Sequence, residues 1–221
     1  MKITYSKSGS YILLELPYKG KALPGQFFTL ATETGPYIPR PFSVYSLEDG
    51  KISFLVKAGG EFEKFINGCA TVEMNGPFGN PIPELDSPLL LSGGCGYAPV
   101  HFYAQTHEFS EIIVGANDPT FFDLIDLPDH SVYVTDPTTP LDIAKFSPLK
   151  NILLCGPASM IKDSKALFAD KNLYLIMEER MACARGMCEG CAIMTDDGVK
   201  FVCKDGPVFR ASEVDLEWTY R

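Results

Sequence analysis

The chain has 221 residues, enough for two compact domains of about 100 residues each. Apolar residues make up 46% and charged residues 21%, which excludes wholesale disorder and a fibrous chain. With 28 acidic against 19 basic side chains, no basic stripe, and no run near the roughly 18 apolar residues of a membrane span, the expectation is a cytoplasmic protein with no nucleic-acid or membrane partner.

Residues 1–85 read as short strands separated by turn residues: ITYSKSG, YILLELP, QFFTLAT, PFSVYSL, KISFLVKA and ATVEMNG. That spacing predicts an antiparallel β-barrel or sandwich, with one or two helical turns at EFEKFIN before Gly68. A Pro-rich stretch, GPFGNPIPELDSP, marks the boundary. Residues 86–177 then alternate apolar runs (LLLSG, EIIVGA, SVYVTD, NILLCG, NLYLIM) with helical segments (APVHFYAQTHEF, ASMIKDSKALFAD), the pattern of a parallel sheet with crossover helices. Residues 136–150 look like a shortened, loop-rich connection. After Met177 the periodicity stops, and residues 178–221 are too small and glycine-rich to bury a core without metal.

Seven cysteines are present; Cys69, Cys95 and Cys155 stand alone, while four crowd together as Cys183-x4-Cys188-x2-Cys191-x11-Cys203. Three thiolates in one loop and a fourth farther on match the plant-type pattern for a 2Fe-2S cluster, which takes two cysteines per iron. The alternative is a structural zinc site, but zinc generally uses two C-x2-4-C pairs and only one is present. Ala184, Gly186 and Gly190 keep the loop slim, so that backbone N–H groups can approach the cluster sulfurs. Met177, Met181 and Met187 would shield the cluster from water.

Other segments are ambiguous alone. Arg40-Pro41-Phe42-Ser43-Val44-Tyr45-Ser46 offers a cation for a diphosphate and hydroxyls for a flavin, or is simply a half-buried strand. KAGGEFEKF could present backbone N–H groups to phosphate, or be a plain turn and helix cap. Gly93-Gly94-Cys95-Gly96 follows an apolar strand and precedes a helix, as a dinucleotide phosphate loop does, although the full G-x-G-x-x-G fingerprint is not met. Cys155-Gly156-Pro157 repeats that layout. His101, His107 and His130 read as bystanders, two of them on an exposed helix face, and Trp218 as simple packing.

Taken in order, RPFSVYS, GPFG, GGCGYAP and CGPASM resemble the ferredoxin-NADP reductase superfamily, a flavin-binding β-barrel followed by a nucleotide-binding α/β domain. EERMACARGMCEGC followed by VCKDGPVF is similar to the electron-transfer, iron-sulfur subunits of dihydroorotate dehydrogenase B. The resemblance implies a chain with FAD on Arg40, Pro41, Phe42 and Ser43 and on Leu55, Val56, Lys57 and Gly60. It further implies NADH, as electron donor, against Gly93, Gly94, Cys95, Gly96, Cys155 and Gly156, and the cluster on Cys183, Cys188, Cys191 and Cys203. It implies no catalytic residue in this chain, because dihydroorotate would be oxidised in a partner catalytic subunit containing FMN, within a heterotetramer serving pyrimidine biosynthesis. The same chemistry in another complex, such as a sulfide dehydrogenase or a ferredoxin-NADP oxidoreductase, is the alternative. The chain departs from the family at Glu61, Phe62 and Glu63, where a Thr or Ser is usual. It departs again at Asn117-Asp118, where an arginine is common, and at Ala184, where glycine is common.

Overall fold

The structure, a computed structural model, describes residues 2–67, 69 and 71–220; Gly68, Ala70 and the Glu61 side chain lie outside the described residues. Strands β1 (Thr4–Ser8), β2 (Tyr11–Pro17), β3 (Phe27–Thr32), β4 (Gly35–Glu48), β5 (Lys51–Lys57) and β6 (Val72–Phe78) form one antiparallel sheet in the order β1-β2-β5-β4-β3-β6. A bridge between Lys2 and Thr71 brings its two edges together into a barrel. Period-two alternation explains the register: Ile12, Leu14 and Leu16 of β2 point inward, where they meet Phe28, Leu30, Val44, Ile52, Phe54 and Val56. Asp49 and Gly50, both at positive φ (52° and 73°), supply the tight turn from β4 to β5. The short helix α1 (Glu61–Ile66) sets Phe62 and Ile66 into the barrel core.

The second sheet holds five parallel strands in the order β9-β8-β7-β10-β11: β7 (Leu89–Gly93), β8 (Glu111–Gly115), β9 (Val132–Val134), β10 (Asn151–Cys155) and β11 (Asn172–Ile176). Helices α2 (Tyr97–Ala104), α3 (Pro140–Ala144) and α4 (Ala158–Leu167) connect them. Within the segment expected to be loop-rich, α3 forms because Thr139 and Asp142 make a reciprocal capping box and Pro140 sits at the first helical turn. Beyond Met177 come β12 (Ala192–Thr195), β13 (Gly198–Phe201), α5 (Val202–Asp205), β14 (Val208–Arg210) and α6 (Leu216–Thr219). The strand β14 returns to the second sheet, pairing antiparallel with β11 as Ile176↔Val208, Leu175↔Phe209 and Tyr174↔Arg210. The carboxyl-terminal segment is thereby built into the same sheet edge. No helix among the described residues is long and apolar enough to cross a membrane.

Helix α2 is apolar all round because it is wedged between barrel and sheet; every residue from Tyr97 to Tyr103 is buried. This corrects the expectation that His101 and His107 lie on an exposed helix face: His101 is buried within α2, and His107 follows the helix, half-buried and stacked on Tyr103. His101, 3% exposed, stacks on Tyr45 of β4 (ring centroids 4.2 Å apart, planes 8° apart), and its Nδ1–H donates to the Tyr45 carbonyl at 3.0 Å. Tyr45 Oη in turn accepts from the Asp126 N–H (2.8 Å), and Tyr97 Oη donates to the Asp126 carbonyl (2.6 Å). On the other flank the Asp118 carboxylate accepts from the Ser10 N–H of the β1–β2 turn and from the Thr120 N–H and hydroxyl. The Thr120 hydroxyl first, then these N–H groups, hold its pKa down to about 2.

Burial lowers the pKa of His101, against the opposing pull of the Tyr45 carbonyl, Asp126 and Glu48. Its neutral form is therefore the folded form, and its contribution is complete above the unfolded value of about 6.5 and is lost as pH falls through the lowered folded value. Urea unfolding is expected to give constant stability from pH 8 to about 6.5 and a decline below it. In His101→Phe that decline should flatten, at a cost of about 1 kcal/mol at pH 8 from the orphaned Tyr45 carbonyl. An equal slope in both proteins would remove His101 from the account.

Candidate functional site

Two cavities open between the barrel and the second sheet, and they share Lys57, Cys95 and Glu178. The smaller, about 280 Å³, is walled by Phe27, Pro41, Phe42, Ser43, Leu55, Ala98, Met177, Met181 and Pro207. Pro41, Phe42 and Ser43 reach it because β4 crosses the mouth of the barrel, and Leu55 and Lys57 because alternate residues of β5 face outward. Val56, the residue between them, points into the barrel core. Arg40 lies beside the cavity on β4, opposite Leu30, and Gly60 caps α1; neither is among the described wall residues. Of the methionines expected around the cysteine loop, Met177 and Met181 instead line this cavity, while Met187 is 73% exposed and shields nothing.

At the turn before α1 the chain has filled a place expected for phosphate. Glu63 accepts from the Gly59 N–H and pairs with Lys7 at 2.7 Å, its own side chain only 12% exposed. The Lys7 hydrogen bond, then the Gly59 N–H, lower its pKa, so this carboxylate is neutralised within the protein.

The larger cavity, about 650 Å³, is lined by Gly93, Gly94, Cys95, Gly96 and Gly156, with Tyr11 and Thr139 beside them. The glycines are required by the packing of one turn on the other. A Cβ on Gly96 would stand 2.5 Å from the Cys155 carbonyl oxygen, and one on Gly93 2.8 Å from Pro157 Cδ. Asp118, Asp136, Asp163 and Glu178 also line it, against a single cation, Lys57, among the described wall residues. Cys155 lies fully buried behind the wall, its Sγ donating to Glu178 Oε1 at 3.9 Å. Burial, then Glu178, push Cys95 up to about 12 and Cys155 well above the ordinary thiol range, so both stay protonated and unreactive. Glu178 is exposed as a residue, yet desolvation of its carboxyl in the cleft raises its pKa, against the Cys155 hydrogen bond.

The four clustered cysteines come together at the carboxyl-terminal end. Cys183 Sγ accepts from the N–H groups of Arg185 (3.4 Å), Met187 (3.3 Å) and Cys188 (3.3 Å), and Cys203 Sγ from Gly186 (3.1 Å). Cys191 and Cys203 are buried with sulfurs 3.2 Å apart, and Cys188 is exposed. The N–H of Arg185, then that of Cys188, pull Cys183 down to about 6. Burial, then Cys191, push Cys203 up to about 12, so a metal must displace its proton. Among the described residues no three His, Cys, Asp or Glu side chains surround a single-ion position. N–H groups aimed at sulfur and a paired Cys191–Cys203 suit a polynuclear iron-sulfur group, whose thiolates need such donors. Ala184 does adopt positive φ (55°), at a cost of about 1 kcal/mol, offset by burial of its methyl group.

Residues 178–215 match the family described as the iron-sulfur cluster binding domain of dihydroorotate dehydrogenase B. Over nearly the whole length, the chain is 31% identical to the electron transfer subunit of dihydroorotate dehydrogenase B (NAD(+)) from Clostridium perfringens, covering 94% of this chain and 93% of the relative. The chain belongs to this family of electron transfer subunits. The corresponding subunit of Caldanaerobacter subterraneus is 30% identical with 89% of each covered. Among solved structures, an NADH-dependent reduced ferredoxin-NADP oxidoreductase superposes with a TM-score of 0.79 at 24% identity, covering 98% of this chain and 89% of that one. A ferredoxin reductase of carbazole 1,9a-dioxygenase gives 0.62 at 21%, covering 78% and 65%. The fold is shared with the ferredoxin reductases, an antiparallel barrel followed by a largely parallel sheet.

Relative to the sequence reading of this family member, the structure adds Tyr11, Glu178 and Pro207 to the cavity walls. Tyr11 lies in no functional motif, while Glu178 and Pro207 belong to the EERMACARGMCEGC and VCKDGPVF segments, whose resemblance points to the cluster and not to the cavities; tertiary packing brings all three to the walls. In the cysteine loop, Gly186 combines a positive φ (71°), the N–H bond to Cys203 and close contact with Lys204, whose Cδ would lie 2.7 Å from an added Cβ. Gly186→Ala should therefore cost about 1–3 kcal/mol locally and lower iron and acid-labile sulfide per chain, measured together with visible absorption. Full iron loading in the variant would show that this backbone geometry is not needed.

Proposed function

We propose that the smaller cavity holds the isoalloxazine ring of FAD, the larger cavity holds NADH, and Cys183, Cys188, Cys191 and Cys203 hold a 2Fe-2S cluster. Residues 1–85 would serve as the flavin barrel, 86–177 as the nucleotide-binding unit and 178–221 as the cluster segment. The observation that carries this reading is the shared wall: Lys57, Cys95 and Glu178 belong to both cavities, so ligands in the two would meet edge to edge.

When bound, FAD supplies the conversion between a hydride and single electrons that an iron-sulfur cluster cannot perform, and the cluster supplies one-electron relay. The chain's own residues orient and seclude. Phe27, Pro41, Met177 and Pro207 give the flavin cavity an apolar wall that limits water, and Ser43 offers it a hydroxyl. Lys57 offers positive charge where the nucleotide and flavin would meet. Glu178 Oε1 accepts from the Cys155 thiol, whose proton stays on sulfur, keeping a neutral thiol behind the junction. The turn amides around Gly93–Gly96 and the single Lys57 would have to receive the diphosphate that an arginine commonly receives elsewhere in the family. Cys188 and Met187 at the exposed rim of the cluster loop suit delivery of electrons to a separate protein. The relatives' names, electron transfer subunits of dihydroorotate dehydrogenase B, support the catalytic dihydroorotate dehydrogenase subunit as that partner, and the proposal extends to a heterotetramer acting in pyrimidine biosynthesis in the cytoplasm.

Anaerobic titration of the purified chain with NADH is expected to bleach the flavin and cluster absorption bands together. A coloured protein untouched by NADH but bleached by dithionite would retain the cofactors and remove NADH as donor. A colourless protein would remove the reading altogether.

A further inference from the structure

The loop after β6 reaches across to the cluster segment at one residue. Asn80 Nδ2 donates to the carbonyls of Lys204 (3.1 Å) and Asp205 (3.0 Å), and the Asn80 backbone N–H donates to the Gly206 carbonyl (2.7 Å). Three consecutive carbonyls, 124 and more residues away in sequence, thus bond to a single residue of the barrel. Those carbonyls fill the interval between Cys203 and Pro207. Cys203 is one of the four clustered cysteines, and Pro207 is part of the smaller cavity's wall. The backbone from one to the other spans four residues, at most about 14 Å if fully extended.

The neighbours reinforce that contact. Gly79, at positive φ (77°), lets the barrel chain approach so closely that a Cβ there would lie 2.9 Å from Pro207 Cδ. On the far side the Met177 N–H donates to the Pro207 carbonyl at 2.8 Å, so Pro207 is held from both the barrel and the sheet. Phe78, two residues before Asn80, packs on Phe27 of the smaller cavity and carries the Arg185 guanidinium 5.6 Å above its ring, bringing the cysteine loop to the same place. Nothing about the barrel's own stability calls for the Asn80 amide: its hydrogen-bond partners all belong to the segment that joins the two sites.

We propose that Asn80 is a positioning residue that fixes the spacing between the flavin cavity and the cluster ligand Cys203, and thereby the rate at which an electron lost by the reduced flavin is gained by the cluster. The inference rests on the flavin and cluster assignment above. Asn80→Ala removes both side-chain bonds, and Asn80→Asp replaces the donor with a carboxylate facing two carbonyls. Full-length variants purified anaerobically would first be assayed for flavin, iron and acid-labile sulfide. Two readouts follow: stopped-flow absorption of the cluster band after reduction of the flavin, and, in samples poised so that the flavin holds one electron and the cluster one, the magnetic broadening between the two paramagnetic cofactors at low temperature.

With cofactor contents unchanged, both variants should show transfer slowed severalfold and a narrowed magnetic signal, because electron transfer falls off exponentially as the two groups move apart. Asn80→Ser, which keeps a shorter donor, should fall between them and the wild type, and it replaces Asn80→Asp if that variant does not fold. Wild-type rate and broadening in fully loaded variants would overturn the proposal. So would loss of the cluster with flavin retained, which would make Asn80 part of the cluster's own support. Absence of flavin or iron from the wild-type protein would instead overturn the underlying assignment.

Discussion

The carboxyl-terminal segment cannot make a core of its own, and the organisation of the site depends on how it is docked. Residues 178–221 contribute three short strands, two helical turns and four free cysteines, too little apolar surface to fold in isolation. They are secured by backbone pairing. The strand β14 extends the second sheet through β11, Met177 bonds Pro207, and Asn80 bonds residues 204–206. Ile193, Val202, Phe209 and Val214 then join the same apolar cluster as Leu89 and Leu154 of the sheet. Each backbone bond is worth only about 1 kcal/mol net, so the docking is cooperative, and the metal completes it.

A second constraint is electrostatic. The chain carries a net charge of -9, and the larger cavity repeats that excess locally, with four carboxylates and one lysine among its described lining residues. The protein limits the consequence by occupying its own acids. Asp118 is bonded to the barrel turn at Ser10, Glu63 to Lys7 and the Gly59 N–H, and Glu178 to the Cys155 thiol. Two of these three carboxylates bond across |i−j| above 50, joining the barrel strands to later elements. Asp118 is therefore part of how the layers are fastened as well as part of the cavity's field.

Much of this was legible in the sequence where the signal is local. The six barrel strands follow from period-two alternation and turn residues, and the parallel strands from short apolar runs. The cysteine spacing pointed to an iron-sulfur site that the loop's N–H groups now suit. What stayed hidden depends on distant partners. His101 could be placed on a helix but not against Tyr45 of the barrel, since nothing within α2 tells which strand covers it. The return of Val208–Arg210 to the sheet needs β11 as a template, and three residues carry no periodicity. Gly93 and Gly96 read as a phosphate loop, yet their lack of a side chain is required first by the adjoining Cys155–Pro157 turn. The role of Glu63 was invisible because its partner Lys7 lies 56 residues earlier.

The measurement that bears most directly on the account is the composition of the anaerobically purified chain: iron, acid-labile sulfide, zinc and released flavin, each per polypeptide. The account predicts iron and sulfide in equal amounts, FAD in proportion to the chain, and no stoichiometric zinc. One zinc per chain with neither sulfide nor flavin would contradict it, leaving the cysteine loop as a structural site.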